Sequence, residues 1–268
     1  MERTGSGATL TSLCLLAVVL ILATATYKRN EVWKDGLTLW ADSIGKSEGK
    51  ARPHFNYAVN LAAKGDLEDA LKENLRAVEI NPLLAKAYFN IGAIYHARGN
   101  VDEAVRKYRT ALAIMPDIVE AHNNLGYAYY SKGRLYEALE EYNTVLRLNP
   151  RHVKTYINRG DVYRDLGRLE DAADDYEKAL YYAPYSPEAY YGLGSTQFMS
   201  GDVDGAFRQF SAAVKINPAF AKGYYGLGLV MERRGFKREA ERQYLNALDI
   251  DPGLEDARRR LDTLYKGR

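Results

Sequence analysis

Residues 119–152 read VEAHNNLGYAYYSKGRLYEALEEYNTVLRLNPRH, and this stretch decides the fold. Its proline, Pro150, recurs as Pro82, Pro116, Pro184, Pro218 and Pro252, each 34 residues from the next. Placing that proline at repeat position 32 starts six units at residues 51, 85, 119, 153, 187 and 221. A period of about 34 residues is that of a helix–turn–helix repeat. A single unit of this size cannot bury its apolar faces. Each is expected to pack on its neighbours, giving an elongated array in place of one central core.

The other positions of the quoted unit recur in register. Position 8 holds Ala58, Gly92, Gly126, Gly160, Gly194 and Gly228, and position 20 holds alanine in all six units, from Ala70 to Ala240. Position 27 is Ala77, Ala111, Val145, Ala179, Ala213 and Ala247. Small residues let the two helices of a unit approach, where a large side chain would overpack them. Bulk sits opposite: Tyr88, Tyr156, Tyr190 and Tyr224 at position 4, and Tyr108, Tyr142, Tyr176, Phe210 and Tyr244 at position 24. Both halves of the unit carry apolar residues at helical spacing. Glycines 65, 99, 133, 167, 201 and 235 fall at position 15, where the first helix stops. The prolines are expected to end the second helix.

This pattern resembles the tetratricopeptide repeat (TPR), without a gap over 51–254. The resemblance implies an all-α, right-handed superhelix, an α-solenoid of six units (51–84, 85–118, 119–152, 153–186, 187–220 and 221–254). Residues 255–268, with Arg258, Arg259 and Arg260, read as a polar helix capping the array.

Ahead of the array, Ala8–Thr26 carries no charged residue. As a helix it matches the roughly 30 Å hydrocarbon core of a bilayer. Residues 1–27 are therefore expected to form a single transmembrane helix, with the lipid bilayer as its partner over 8–26. A cleaved signal peptide is the rival reading, because Ala23-Thr24-Ala25 has the form of a cleavage site. Lys28, Arg29 and Lys34 follow the apolar stretch and only Arg3 precedes it, which favours a cytoplasmic array. Cys14 is the sole cysteine, so no internal disulfide is expected.

Residues 28–50 fall in register as a half-repeat, with Trp33, Leu37, Trp40 and Ile44 at the packing positions of a second helix. Trp33 suits a membrane-interface belt equally well. The string Arg29-Asn30, Trp33, Leu39-Trp40 and Asp42 is similar to the junction between membrane helices and repeats in the transmembrane-and-TPR O-mannosyltransferase family and its bacterial relatives. That resemblance implies an extracytoplasmic array, against the charge count. It carries over no transferase activity, since one membrane segment stands where that family has many and its acidic motif is missing.

Chemistry is not expected. His54, His96, His122 and His152 show no ligand spacing, and His54 and His122 occupy packing position 4. No phosphate loop, catalytic triad, metal set or cofactor motif is present. Thirty-seven basic residues against 35 acidic ones, alternating along the helices, give no net pull towards nucleic acid.

The TPR resemblance implies that positions 2, 5, 6, 9, 12 and 13 line a concave groove. Position 6 reads Asn56, Asn90, Asn124 and Asn158, then Gly192 and Gly226. An asparagine amide donates and accepts, so it can pair with both sides of an extended peptide backbone. This ladder resembles that of the O-GlcNAc transferase repeats, although asparagine is also common at the position. Phe55, Phe89, Tyr191 and Tyr225 at position 5, with Tyr127 and Tyr130 at positions 9 and 12, are candidate anchors. Arg164, with Asp161 and Asp165, adds mixed charge. The clamp for an acidic chaperone tail resembles Lys at position 5 with Asn at position 9. Here Phe55/Val59, Phe89/Ala93 and Asn123/Tyr127 stand there, so that mode is not expected.

The sequence thus points to a non-enzymatic, membrane-anchored scaffold that binds an extended peptide or protein segment. The alternatives are a substrate-presenting component of a membrane protein-glycosylation system and a secreted assembly factor.

Overall fold

The computed structural model describes residues 5–266, with side chains from residue 13 onward, Val32 excepted. Residues 1–4 and 267–268, at the outer ends of the assignments 1–27 and 255–268, lie outside the described residues, as does Arg3. The described chain is all-helical: fifteen α-helices and no strand. It divides into two compact units, residues 1–116 and 117–268.

In the first unit, α1 (Gly5–Val32) is long and α2 (Gly36–Lys46) short. Two hairpins follow, α3 (Ala51–Lys64) with α4 (Leu67–Ile80), and α5 (Ala85–Ala97) with α6 (Val101–Ile114). Leu13 to Leu22 on α1 are more than half exposed at every large apolar side chain, so the helix presents hydrocarbon on all sides. Its uncovered span Leu13–Glu31 is long and apolar enough to cross a membrane. Asp35 caps α2, its Oδ1 accepting from Thr38 N at 2.8 Å. The α2 helix packs on α3 through Leu37, which joins Leu61, Leu71 and Ile91. Trp33 does not join that packing: it sits between α1 and α2, 57% exposed, with the Arg29 guanidinium 4.9 Å from its ring centroid.

The second unit holds four hairpins: α7 (Val119–Ser131) with α8 (Leu135–Leu148), α9 (Val153–Asp165) with α10 (Leu169–Tyr182), α11 (Pro187–Ser200) with α12 (Val203–Ile216), and α13 (Ala221–Arg233) with α14 (Lys237–Ile250). The last helix, α15 (Glu255–Lys266), lays Ala257, Leu261 and Leu264 on Ala240, Tyr244 and Ala247 of α14. Besides pairing within hairpins, α7 touches α9, α9 touches α11 and α11 touches α13. The first helices therefore stand side by side on one face.

Two glycine rows serve different physical ends. At position 15 all six glycines have positive φ, from 71° at Gly133 to 92° at Gly201. A Cβ at any of them would meet nothing, so the left-handed backbone alone requires glycine. At position 8 the reverse holds: a Cβ on Gly126 would lie 2.7 Å from the Tyr142 ring, and one on Gly160 2.9 Å from Tyr176. The first unit has Ala58 at position 8, fully buried, and Asn74 at position 24 in place of an aromatic ring. The smaller partner leaves space for the methyl group.

The second helices stop two residues before each proline. Ile80 ends α4 and Asn81 is extended (φ −131°, ψ 93°), the conformation that a following proline imposes. Asn81, Asn149 and Asn217 then accept from the backbone N–H two residues on, at 3.1, 3.1 and 2.9 Å. These turns carry the chain across the proline with its polar groups satisfied.

A pair of ionisable side chains crosses each of three hairpins at repeat position 23. His54 meets Glu73 at 2.6 Å and His122 meets Glu141 at 2.5 Å. Arg159 grips both oxygens of Asp175 at 2.7 Å, with the carboxylate almost wholly buried.

Candidate binding groove

The face formed by the first helices of residues 117–268 is hollowed into an open groove of about 760 Å³. Tyr127 and Tyr130 come from α7, Asn158, Asp161 and Arg164 from α9, Tyr191 from α11 and Tyr225 from α13. Seven of the residues named from the sequence thus share one wall. Helical spacing explains the grouping: each stands on the stripe of its first helix that borders the groove.

A polar network occupies the centre. Arg164 Nη1 lies 2.8 Å from Asp161 Oδ1, and Nη2 lies 3.5 Å from Asp165. Tyr130 donates to Asp165 Oδ2 at 2.6 Å, and Tyr176 donates to Asp161 Oδ1 at 2.8 Å from beneath. Burial works against the Arg164 charge, but Tyr176, Asp161 and Asp165 outweigh it and hold the guanidinium pKa above its ordinary value. Burial, then the hydrogen bond to Asp165, raises Tyr130; burial, then Asp161, raises Tyr176. The network presents fixed hydrogen-bonding dipoles to the groove.

The position-5 aromatics have an internal role that their spacing did not reveal. Phe89 packs on Tyr108 with ring centroids 5.9 Å apart, Tyr191 on Phe210 at 5.6 Å, and Tyr225 on Tyr244 at 6.0 Å. In each case the partner is position 24 of the same repeat. Tyr191 and Tyr225 face the groove as well, whereas Phe55 is half-buried on α3.

The asparagine ladder divides between the units. Asn90 lines a shallow apolar groove of about 210 Å³ with Val59, Ala62, Leu67, Ala93 and Ile94. Asn158 lines the large groove. Asn56 and Asn124 are half-buried. Asn158 already has one internal tie, Nδ2 to Asn123 Oδ1 at 3.4 Å. Asn123 Oδ1 also accepts from Thr155 at 2.8 Å, and His152 Nδ1 lies 2.8 Å from the same hydroxyl. The ladder's end has a steric cause: a Cβ on Gly192 would lie 2.5 Å from Tyr176 Cζ, and one on Gly226 2.5 Å from Phe210 Cδ1.

Glu188, Phe220, Lys222, Asp251 and Asp256 complete the groove and were not singled out from the sequence. Glu188, Lys222 and Asp256 stand at position 2, the first turn of a first helix. That position was a signal for the groove, and its residues are readable by counting from the repeat start. Phe220 comes from an inter-repeat loop and packs edge-on against Tyr191 at 6.0 Å.

Near the membrane-length helix, Lys28, Arg29, Trp33, Leu39, Asp42 and Lys46 surround a second recess. Lys46 and Asp42 pair at 2.6 Å. Among the described residues no cluster of three or more His, Cys, Asp or Glu has the arrangement of a metal site.

The TPR-repeat family profile matches residues 60–97, 92–133, 126–163 and 160–201, together more than half of the chain. The chain belongs to the TPR-repeat family. No curated protein matches it over its length or in part. Among solved structures it is similar to MamA, with 26% identity and a TM-score of 0.53 over 60% of this chain and 95% of that one. It is also similar to PilW, described as a widely conserved type IV pilus biogenesis factor, at 20% identity and a TM-score of 0.70, covering 79% of this chain and 98% of PilW. YrrB, described as a TPR protein with an unusual peptide-binding site, matches at 23% identity and a TM-score of 0.53, over 69% of this chain and 95% of YrrB. The last two likenesses establish the TPR fold alone. Family membership makes the chain a protein-interaction scaffold, since stacked repeats present the extended surfaces such proteins bind with.

Proposed function

We propose that this TPR scaffold is anchored in a membrane by α1 and binds an extended peptide segment in the groove of residues 117–268. The observation that carries the reading is the groove itself: tyrosines from three first helices around a fixed Asp161–Arg164 centre. Rigid aromatic rings supply contact area at low entropy cost, and the polar groups between them fix a backbone. The anchor rests on the uncovered apolar span, since a helix that is hydrophobic all round and packed on nothing is at home in lipid. Intact Met1 on the mature protein and resistance to alkaline extraction are the expected results; cleavage after Ala25 would make it a secreted factor.

The groove is tested by Tyr127→Ala. This side chain is 46% exposed, so its removal should lower the unfolding temperature only modestly and leave the chain folded. Binding of a degenerate pool of extended peptides to the full chain should weaken by about tenfold, the scale of an aromatic anchor. Unchanged affinity would place peptide binding elsewhere.

A second reading draws on the recess at the membrane end. Arg29, Trp33, Leu39 and Asp42, four of the six residues of the junction string, surround one hollow, with Arg29 over the Trp33 ring. On that reading the scaffold presents polypeptide substrates to a polytopic glycosylation enzyme and faces away from the cytoplasm. Copurification with such a partner, lost on Trp33→Ala, supports it. Clean recovery of the lone chain under mild solubilisation counts against it.

A further inference from the structure

The apolar helix α1 runs into a cluster of cations that the repeat packing does not use. Lys28 and Arg29 stand in the last turn of its uncovered 19-residue span, Leu13–Glu31. A helix of that length matches the hydrocarbon thickness of a bilayer, so in a crossing span both cations come at the depth of the lipid headgroups. The chain then turns, and α2 touches α1. Leu39, Asp42, Ser43 and Lys46 of α2 thereby close a hollow of about 480 Å³ whose other side is Lys28, Arg29 and Trp33.

The charges of this hollow do not cancel. Its one carboxylate, Asp42, pairs with Lys46 at 2.6 Å. Glu31 lies outside the lining and meets Lys34 at 3.8 Å. Lys28 and Arg29 are in no ion pair among the described residues. The lining therefore presents uncompensated positive charge and no uncompensated negative charge.

Trp33 supplies an independent observation. Its ring is 57% exposed, and the Arg29 guanidinium lies 4.9 Å from its centroid. The ring holds the cation in place without taking up its N–H donors, which have no acceptor among the described residues. A guanidinium so placed matches two oxygens of a phosphate at once. Tryptophan itself favours headgroup depth.

From these features we infer that the recess binds the phosphate of an anionic phospholipid. Lys28 and Arg29 hold the phosphate, and the acyl chains lie along the exposed apolar side of α1. A zwitterionic lipid would bring a cation with its phosphate, which the same two residues repel. Continuity of the recess with the apolar span favours a lipid over a soluble anion. The inference rests on the membrane-anchor reading above and adds the class of lipid that meets the anchor.

The test reconstitutes the full chain into vesicles of phosphatidylcholine with phosphatidylglycerol as minor component, one or the other brominated on its acyl chains. Quenching of Trp33, read as the difference from Trp33→Phe, reports which lipid adjoins the recess. Phosphatidylglycerol should associate about tenfold more strongly than phosphatidylcholine, the scale of basic residues at a lipid surface. Arg29→Gln should remove most of that preference, and Asp42→Asn, which frees Lys46, should raise it. Lys34→Gln, outside the recess, should leave it unchanged. Equal association of the two lipids would overturn the assignment and leave the recess to a protein partner. An equal loss from Lys34→Gln would also overturn it, since the charge would then be diffuse. Relief of the quenching by inorganic phosphate in the buffer would assign the recess to a soluble anion instead. Failure of the chain to float with vesicles of any composition would overturn the anchor reading itself, and the inference with it.

Discussion

The first-helix face of residues 1–116 and that of residues 117–268 are cut from one repeat template and end with different chemistry. The first carries a shallow hollow of Val59, Ala62, Ala93 and Ile94 around Asn90. The second carries a groove more than three times as large, lined by tyrosines and charges. The residues that build the hairpins sit at positions 8, 15, 20 and 27 and scarcely differ between the two. The residues that line the hollows sit at 2, 5, 6, 9 and 12 and differ freely. The frame and the lining are therefore written largely on separate positions, and position 5 serves both, since Tyr191 and Tyr225 rest on Phe210 and Tyr244.

The sharpest way to break that separation is to attack the frame. Asp175→Ala would leave Arg159 buried without its carboxylate, a loss on the order of 3–5 kcal/mol. Hydrogen exchange on the variant should show protection lost over α9 and α10 while α3 to α6 keep theirs. Uniform loss across both units would mean that they do not hold together independently.

A smaller effect is expected at the one repeat whose interior departs from the template. Asn74 is fully buried, and its Oδ1 has no partner. Asn74→Tyr alone should destabilise the first unit, because Ala58 occupies the space that glycine leaves free elsewhere. Adding Ala58→Gly should recover it, with a coupling of about 1–3 kcal/mol between the two sites in a double-mutant cycle. Additive effects in denaturant titrations would deny the pairing of positions 8 and 24.

Much of this frame was legible before any coordinates. The prolines fixed the register, and glycine at position 15 announced a left-handed residue that all six backbones adopt. Size set small positions 8 and 20 against bulky 4 and 24, and the structure pairs 8 with 24. Other features needed three dimensions. Nothing in spacing shows that Tyr191 and Tyr225 rest on Phe210 and Tyr244, since position 5 reaches position 24 only across the hairpin. Register left Trp33 open between packing and a membrane-interface belt; α1 runs through to Val32 and leaves it on the outside. The asparagines at position 6 looked like one row, yet Asn158 is partly committed to Asn123 through a chain that begins at His152.

That chain gives the smallest expected effect. Burial lowers the pKa of His152 below its ordinary 6.5, with Glu120 opposing and Lys154 assisting. The folded state therefore binds fewer protons than the unfolded one. The resulting stability is fully present above the unfolded value and is lost as pH falls through the folded value. His152→Gln should flatten the fall in melting temperature on the acid side of neutrality. An unaltered acid limb would remove His152 from the account.

The central claim, that recognition belongs to the groove of residues 117–268, is tested most directly by photo-crosslinking. A benzophenone side chain would replace Tyr127 on the groove wall, or Tyr181, which is 80% exposed and outside the groove lining. With a bound peptide pool and the full chain in detergent, irradiation should join peptide to the variant at 127 and spare the variant at 181. Efficient capture at 181 with none at 127 would contradict the claim.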